Sequence, residues 1–69
     1  MNLNPKYLIK ILEQYGFIFK RSKGSHHLYH NPITNKTAIV PVHGGKDMKK
    51  GTFLAILKQA GIDKKEIDL

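Results

Sequence analysis

Four histidines are the residues of this chain whose types and spacing could do chemistry. His26, His27 and His30 fall within five positions, and His43 lies further along. An imidazole can accept or donate a proton near neutral pH. On an extended strand, His26 and His30 would share a face about 13 Å apart, too far to hold one zinc ion at about 2.0 Å. Because cysteine is absent and acids are scarce, the sequence predicts no metal site and no cofactor.

His26 is the histidine best placed for acid–base catalysis. It directly follows the turn-forming sequence Lys23-Gly24-Ser25, so it would begin a strand, where its side chain is held firmly but stays accessible. RNA carries its own nucleophile, the 2′-hydroxyl, and a positioned base that removes its proton typically accelerates the reaction about 10²–10⁴-fold. His26 is therefore a candidate general base, and we expect His27 and His30 to be solvated side chains of a half-exposed sheet.

Basic residues surround this turn and also a later glycine-rich loop. A glycine turn can bring phosphate close to backbone N–H groups, and a helix start with nearby lysines can bind phosphate. The predicted RNA-binding residues are therefore Lys20, Arg21, Lys23, Gly24, Ser25, Lys46, Lys49 and Lys50. The competing interpretation is that the turn alone requires glycine at position 24 and that the lysines are ordinary solvated side chains.

The net charge favours a polyanionic partner. Twelve Lys and Arg residues oppose five Asp and Glu residues, which gives +7, and residues 1–60 hold ten basic side chains against two acidic ones. A net positive charge of this size is typical of proteins that bind nucleic acid. A protein that is rich in lysine for other reasons would have the same net charge. The longest apolar runs are 17–19 and 53–57, far below the roughly 20 residues of a membrane span, so we expect no membrane partner.

The spacing of apolar and β-forming residues along the chain predicts a single α+β domain over residues 1–69. Apolar residues recur at helical spacing in two segments, namely Leu8, Ile11, Leu12 and Tyr15, then Phe53, Ile56, Leu57 and Ala60. β-forming segments separated by turn residues lie between them. The predicted order is a helix at about 5–15, strands at 17–21, 26–31 and 36–42, and a helix at 49–60, with turns at 22–25 and 31–35 and a last helical turn at 64–68.

Two such helices can cover one face of a three-stranded antiparallel sheet and leave the other face open. If Tyr29 packs beneath the helices, His27 shares its face and His26 lies on the open one. If Leu28 packs inward instead, His26 is turned toward the helices. The periodicity of the strand leaves both arrangements open.

The run 23–29, Lys-Gly-Ser-His-His-Leu-Tyr, resembles the G-[S/G]-H-x-x-[F/Y] signature of HicA-type toxins. The blocks at 40–45 and 49–61 agree with that family as well. The resemblance implies an α-β-β-β-α fold like that of a double-stranded-RNA-binding domain, in a cytoplasmic, translation-independent endoribonuclease that cleaves mRNA. It also implies a HicB-type antitoxin as partner, with operator DNA contacted only through that antitoxin. The catalytic histidine of the family falls on His26, which favours the arrangement with Tyr29 inward.

Two non-enzymatic functions remain compatible with the sequence. A non-catalytic RNA-binding module would explain the charge, the fold and the glycine turns without using His26. A protein-interaction subunit would use the same basic surface to bind an acidic partner.

Overall fold

Two helices enclose three consecutive strands in the order of the chain. The computed structural model describes residues 2–67. Its elements are α1 at Pro5–Gln14, β1 at Ile18–Lys23, β2 at His26–Asn31, β3 at Lys36–Pro41 and α2 at Lys50–Gln59, followed by a 3₁₀-helix at Lys64–Glu66. This is the predicted α+β fold in the order α-β-β-β-α. Residue 68 of the predicted last helical turn lies outside the described residues.

Both helices end in the same hydrogen-bonding pattern. At the end of α1, the Gly16 N–H donates to Glu13 O at 3.1 Å and the Phe17 N–H donates to Leu12 O at 3.0 Å. Gly61 and Ile62 repeat this pattern at the end of α2, with distances of 3.0 and 2.9 Å. These are Schellman motifs, in which a left-handed residue stops the helix and an apolar residue follows it. Each motif turns that apolar residue, Phe17 or Ile62, into the core.

The strands form one antiparallel sheet in the order β1-β2-β3. In β1 and β2, Lys23 pairs with His26, so only Gly24 and Ser25 form the turn between them. The prediction of a turn over 22–25 was therefore too long, because Ser22 and Lys23 extend the ladder. The register shifts between Phe19 and Arg21, which makes Lys20 the extra residue of a β-bulge.

The helices cover one face of the sheet over β2 and β3, whereas all six residues of β1 are exposed. Tyr29, Ala38 and Val40 point into a core that they share with both helices, and its largest fully buried side chains are Leu8, Leu12, Val40, Phe53 and Leu57. Burying a side chain of this size stabilises a fold by about 1.5–3 kcal/mol. The arrangement with Tyr29 inward is therefore the one found, and the alternative with Leu28 inward is wrong.

A buried polar side chain joins the first helix to the sheet. Asn31, only 4% exposed, donates from Nδ2 to Tyr15 O at 2.9 Å, and its Oδ1 accepts from the N–H groups of Ile33 and Thr34 at 2.9 and 3.2 Å. This amide fixes both the end of α1 and the turn between β2 and β3.

The 3₁₀-helix is fastened to the end of α1 by one tyrosine. The Tyr15 hydroxyl donates to Glu66 Oε2 at 3.0 Å. This hydrogen bond raises the pKa of Tyr15 above its ordinary value of 10.0, with smaller contributions from desolvation and from the charges of Glu66 and Asp63.

Candidate functional site

His26 lies on the sheet face that the helices do not cover. It is exposed, and it shares that face with Leu28, whereas the intervening His27 turns toward the covered side. There the His27 ring lies 5.9 Å from the Phe19 ring, between centroids. The alternation of β2 therefore separates two adjacent histidines onto opposite faces.

A shallow groove of about 500 Å³ surrounds His26. We call it the His26 groove, and it is lined by Arg21, Ser22, Lys23, His26, Leu28 and Ile39. Arg21 and Lys23 supply two positive charges beside the imidazole, and none of the described residues that line the groove is acidic. Leu28 and Ile39 give it an apolar floor. A phosphate with its sugar or base fits this combination of cations and apolar surface.

The turn before His26 leaves open space. Gly24 has a φ of +59°, and a Cβ placed on it would meet no atom within 4 Å. A two-residue hairpin turn needs a residue with positive φ at its first central position, so the turn itself accounts for glycine here. The Ser25 carbonyl accepts a 2.7 Å hydrogen bond from the Val42 N–H, which ties this turn to the residue after β3.

The other predicted RNA-binding residues divide into two groups. Lys46 and Lys49 lie in a second cavity of about 400 Å³, the His43 pocket, which is lined by Pro41, His43, Lys46, Asp47, Met48, Lys49 and Thr52. Lys20, in the bulge of β1, and Lys50, the first residue of α2, are exposed but line neither cavity.

One cross-strand pair has a residue in each of the two cavities. Pro41 lines the His43 pocket, and it is also the residue of β3 that pairs with His26. This pairing places Arg21, Lys23 and His26 in one cavity next to the strand residue that lines the cavity of Lys46 and Lys49.

Sequence reasoning missed three parts of this surface. Leu28 and Ile39 form the apolar floor, and His43 enters the neighbouring pocket. Leu28 could have been predicted, because residues two apart on one strand share a face and Leu28 is two residues from His26. His43 is likewise two residues from Pro41. Ile39 has no such signal, because its place opposite Leu28 depends on the β2–β3 register.

Residues 2–67 contain neither a cluster of metal ligands nor a membrane-spanning helix. No group of three or more His, Cys, Asp or Glu side chains is arranged to hold a metal ion within that range. No helix formed by these residues has both the length and the apolar content needed to cross a membrane.

The sequence of this chain matches the model of one known protein family. No curated protein matches this chain. The family model described as the HicA toxin of bacterial toxin–antitoxin systems matches residues 5–62. That match runs from the first residue of α1 to the apolar residue after α2, and it includes both cavities. The chain therefore belongs to the HicA toxin family of bacterial toxin–antitoxin systems.

Proposed function

We propose that this chain is an endoribonuclease toxin that cleaves mRNA, with His26 as the general base. The observation that carries the proposal is the exposed His26 imidazole in a groove with Arg21 and Lys23, on the uncovered face of the sheet. In this mechanism His26 removes the proton of a ribose 2′-hydroxyl, and the resulting oxygen attacks the adjacent phosphorus. The products are a 2′,3′-cyclic phosphate and a 5′-hydroxyl, and the chemistry uses no cofactor.

The cations beside His26 would stabilise the charge that develops on the phosphate. Fixed positive groups around a pentavalent phosphorus act most strongly where water is partly excluded. The apolar side chains of Leu28 and Ile39 reduce water access on one side of the groove. Lys20, Lys46, Lys49 and Lys50 would bind phosphates further along the strand, and Gly24 and Ser25 would let the RNA backbone approach the turn.

The experiment compares two adjacent histidines on opposite faces. His26→Ala should slow cleavage of single-stranded RNA about 10²–10⁴-fold while RNA binding persists. His27→Ala is the matched control and should cleave like the wild type. A chelator should leave the wild-type rate unchanged, and an all-deoxy substrate should resist cleavage because it lacks the nucleophile.

A non-catalytic RNA-binding module predicts a different result. The wild type would then bind RNA tightly without cleaving it, and His26→Ala would change nothing in a cleavage assay. Full cleavage by His26→Ala would also contradict the proposed role of this residue.

Membership of the family implies an antitoxin partner. We expect this antitoxin to be of the HicB type and to cover the His26 groove. Operator DNA would be bound only through that antitoxin. Ile39 is 47% exposed in the groove, so it offers an apolar contact between the cations. Ile39→Lys should weaken the complex with a purified HicB-type antitoxin by about tenfold, the usual effect of disrupting one buried interface contact. Ile33→Lys, at an 89% exposed position in the β2–β3 turn, is the control and should bind the antitoxin normally.

A further inference from the structure

His43 lies two residues beyond Pro41, the cross-strand partner of His26. The Val42 N–H donates to Ser25 O at 2.7 Å, so the pairing with the hairpin continues one residue beyond β3. Val42 packs against the core, whereas Pro41 and His43 on either side of it line the His43 pocket. This is the alternation of extended chain, in which residues two apart share a face and lie roughly 6–7 Å from each other. His43 therefore stands one such step beyond the cross-strand partner of His26.

The segment after His43 is folded back on it. The Lys46 N–H donates to His43 O at 3.0 Å, which closes a turn over residues 43–46. Two cations, Lys46 and Lys49, then line the pocket together with His43, and Asp47 is its one acidic lining residue among those described. The imidazole is exposed, so a bound group can reach it without any rearrangement of the core.

The proposed cleavage leaves one chemical requirement unmet in the His26 groove. When the 2′-oxygen attacks phosphorus, the bond to the 5′-oxygen breaks, and an alkoxide is a poor leaving group unless it receives a proton. The other lining side chains of the groove that carry a proton on nitrogen are Arg21 and Lys23, a guanidinium and an ammonium group, which are suited to binding phosphate as fixed charges. A second imidazole at the next position on the surface is suited to this transfer.

We infer that His43 is the general acid of the reaction, a second catalytic residue that donates a proton to the leaving 5′-oxygen. This inference rests on the proposed function. His26 takes the 2′-hydroxyl proton, the 2′-oxygen–phosphorus bond forms, the phosphorus–5′-oxygen bond breaks, and His43 supplies the proton of the new 5′-hydroxyl. Lys46 and Lys49 bind the next phosphate of the RNA, which keeps the scissile bond between the two imidazoles.

The test uses two RNA substrates that differ in one atom. One is an ordinary oligonucleotide, and the other has sulfur in place of the bridging 5′-oxygen at the cleavage site. A thiolate leaves without a proton, so a general acid matters only for the oxygen substrate. Four proteins are compared: the wild type, His26→Ala, His43→Ala and His30→Ala. His30 is the control because it lies on the same face, opposite Ile18 and Thr37, and lines neither cavity.

We expect His43→Ala to cleave the oxygen substrate about 10²–10⁴-fold more slowly than the wild type and the sulfur substrate at nearly the wild-type rate. His26→Ala should be slow on both substrates, and His30→Ala should be normal on both. A wild-type rate of His43→Ala on the oxygen substrate overturns the inference. An equal loss on both substrates overturns it as well, because His43 would then only bind phosphate. Absence of any cleavage by the wild type refutes the proposed function itself and this inference with it.

Discussion

The side-chain amide of Asn31 donates a 2.9 Å hydrogen bond to the backbone carbonyl oxygen of Tyr15. This contact joins residues 16 positions apart and holds the C-terminal end of α1 against the end of β2. The same amide accepts hydrogen bonds from the turn between β2 and β3. One side chain therefore positions both the end of the first helix and the turn that sets the β2–β3 register.

Asn31→Ala should lower the free energy of unfolding by about 1–3 kcal/mol, because the Tyr15 carbonyl loses its donor and the turn loses its acceptor. Chemical denaturation followed by circular dichroism measures this loss. Gln14→Ala removes an exposed amide at the end of the same helix and should cost less than 0.5 kcal/mol, as is usual for surface positions. Equal stability of the two variants would contradict the importance of the Asn31 contacts.

Charge in the His26 groove should determine how RNA binding depends on salt. For single strands, the slope of log K against log salt is about 0.7 for each phosphate neutralised. Replacing both Arg21 and Lys23 by Gln should therefore reduce the slope by about 1.4. Replacing Lys64 and Lys65 by Gln removes the same charge from the 3₁₀-helix and should leave the slope nearly unchanged. Identical slopes for the two double variants would mean that the net charge, rather than the groove, binds the RNA.

Gly24→Ala should destabilise the fold through backbone strain alone. A non-glycine residue at positive φ costs about 1–2 kcal/mol, and a Cβ at position 24 meets no neighbouring atom within 4 Å. Gly45→Ala, which also meets no atom but has no positive φ, should keep the wild-type stability. Thermal melting of the two variants compares them directly, and a larger loss for Gly45→Ala would be the opposite of this expectation.

The hydrogen bond between Tyr15 and Glu66 predicts an alkaline limit to stability. Because the pKa of Tyr15 is raised in the folded protein, the folded state holds the phenolic proton more tightly than the unfolded chain. Its contribution to stability is therefore complete below pH 10 and is lost as the pH rises through the folded-state pKa. Glu66→Ala should lower the pKa of Tyr15, measured by NMR titration, whereas Glu13→Ala should leave it unchanged. A Tyr15 pKa unaffected by loss of Glu66 would exclude this cause.

Most of the fold could be predicted because its signals are local. The apolar spacing from Leu8 to Tyr15 and from Phe53 to Ala60 defines the two helices within a few residues. A glycine, at position 16 or 61, ends each of them. The bulge at Lys20 could not be predicted, since it depends on how β1 pairs with β2. The role of Asn31 also depends on a distant residue, although its place before Pro32 indicated a turn.

The candidate site was predictable up to the choice of face. The sequence brings Lys23, Gly24 and His26 together because they are neighbours in the chain. It could not say whether Tyr29 or Leu28 packs inward, since that choice depends on the helices covering the sheet. Nor could the sequence predict that His43 lies near His26, because this placement depends on the pairing of His26 with Pro41.

The bulged outer strand has a consequence for behaviour at high concentration. All six residues of β1 are exposed, and its outer edge is not paired with another strand of the described sheet. Unprotected edges invite other chains to add strands, and lysines and bulges discourage such growth. Here two chains joined edge to edge would bring Lys20, Arg21 and Lys23 of one copy against the same three cations of the other. The residues that we propose to bind RNA would thus also oppose aggregation of the protein with itself.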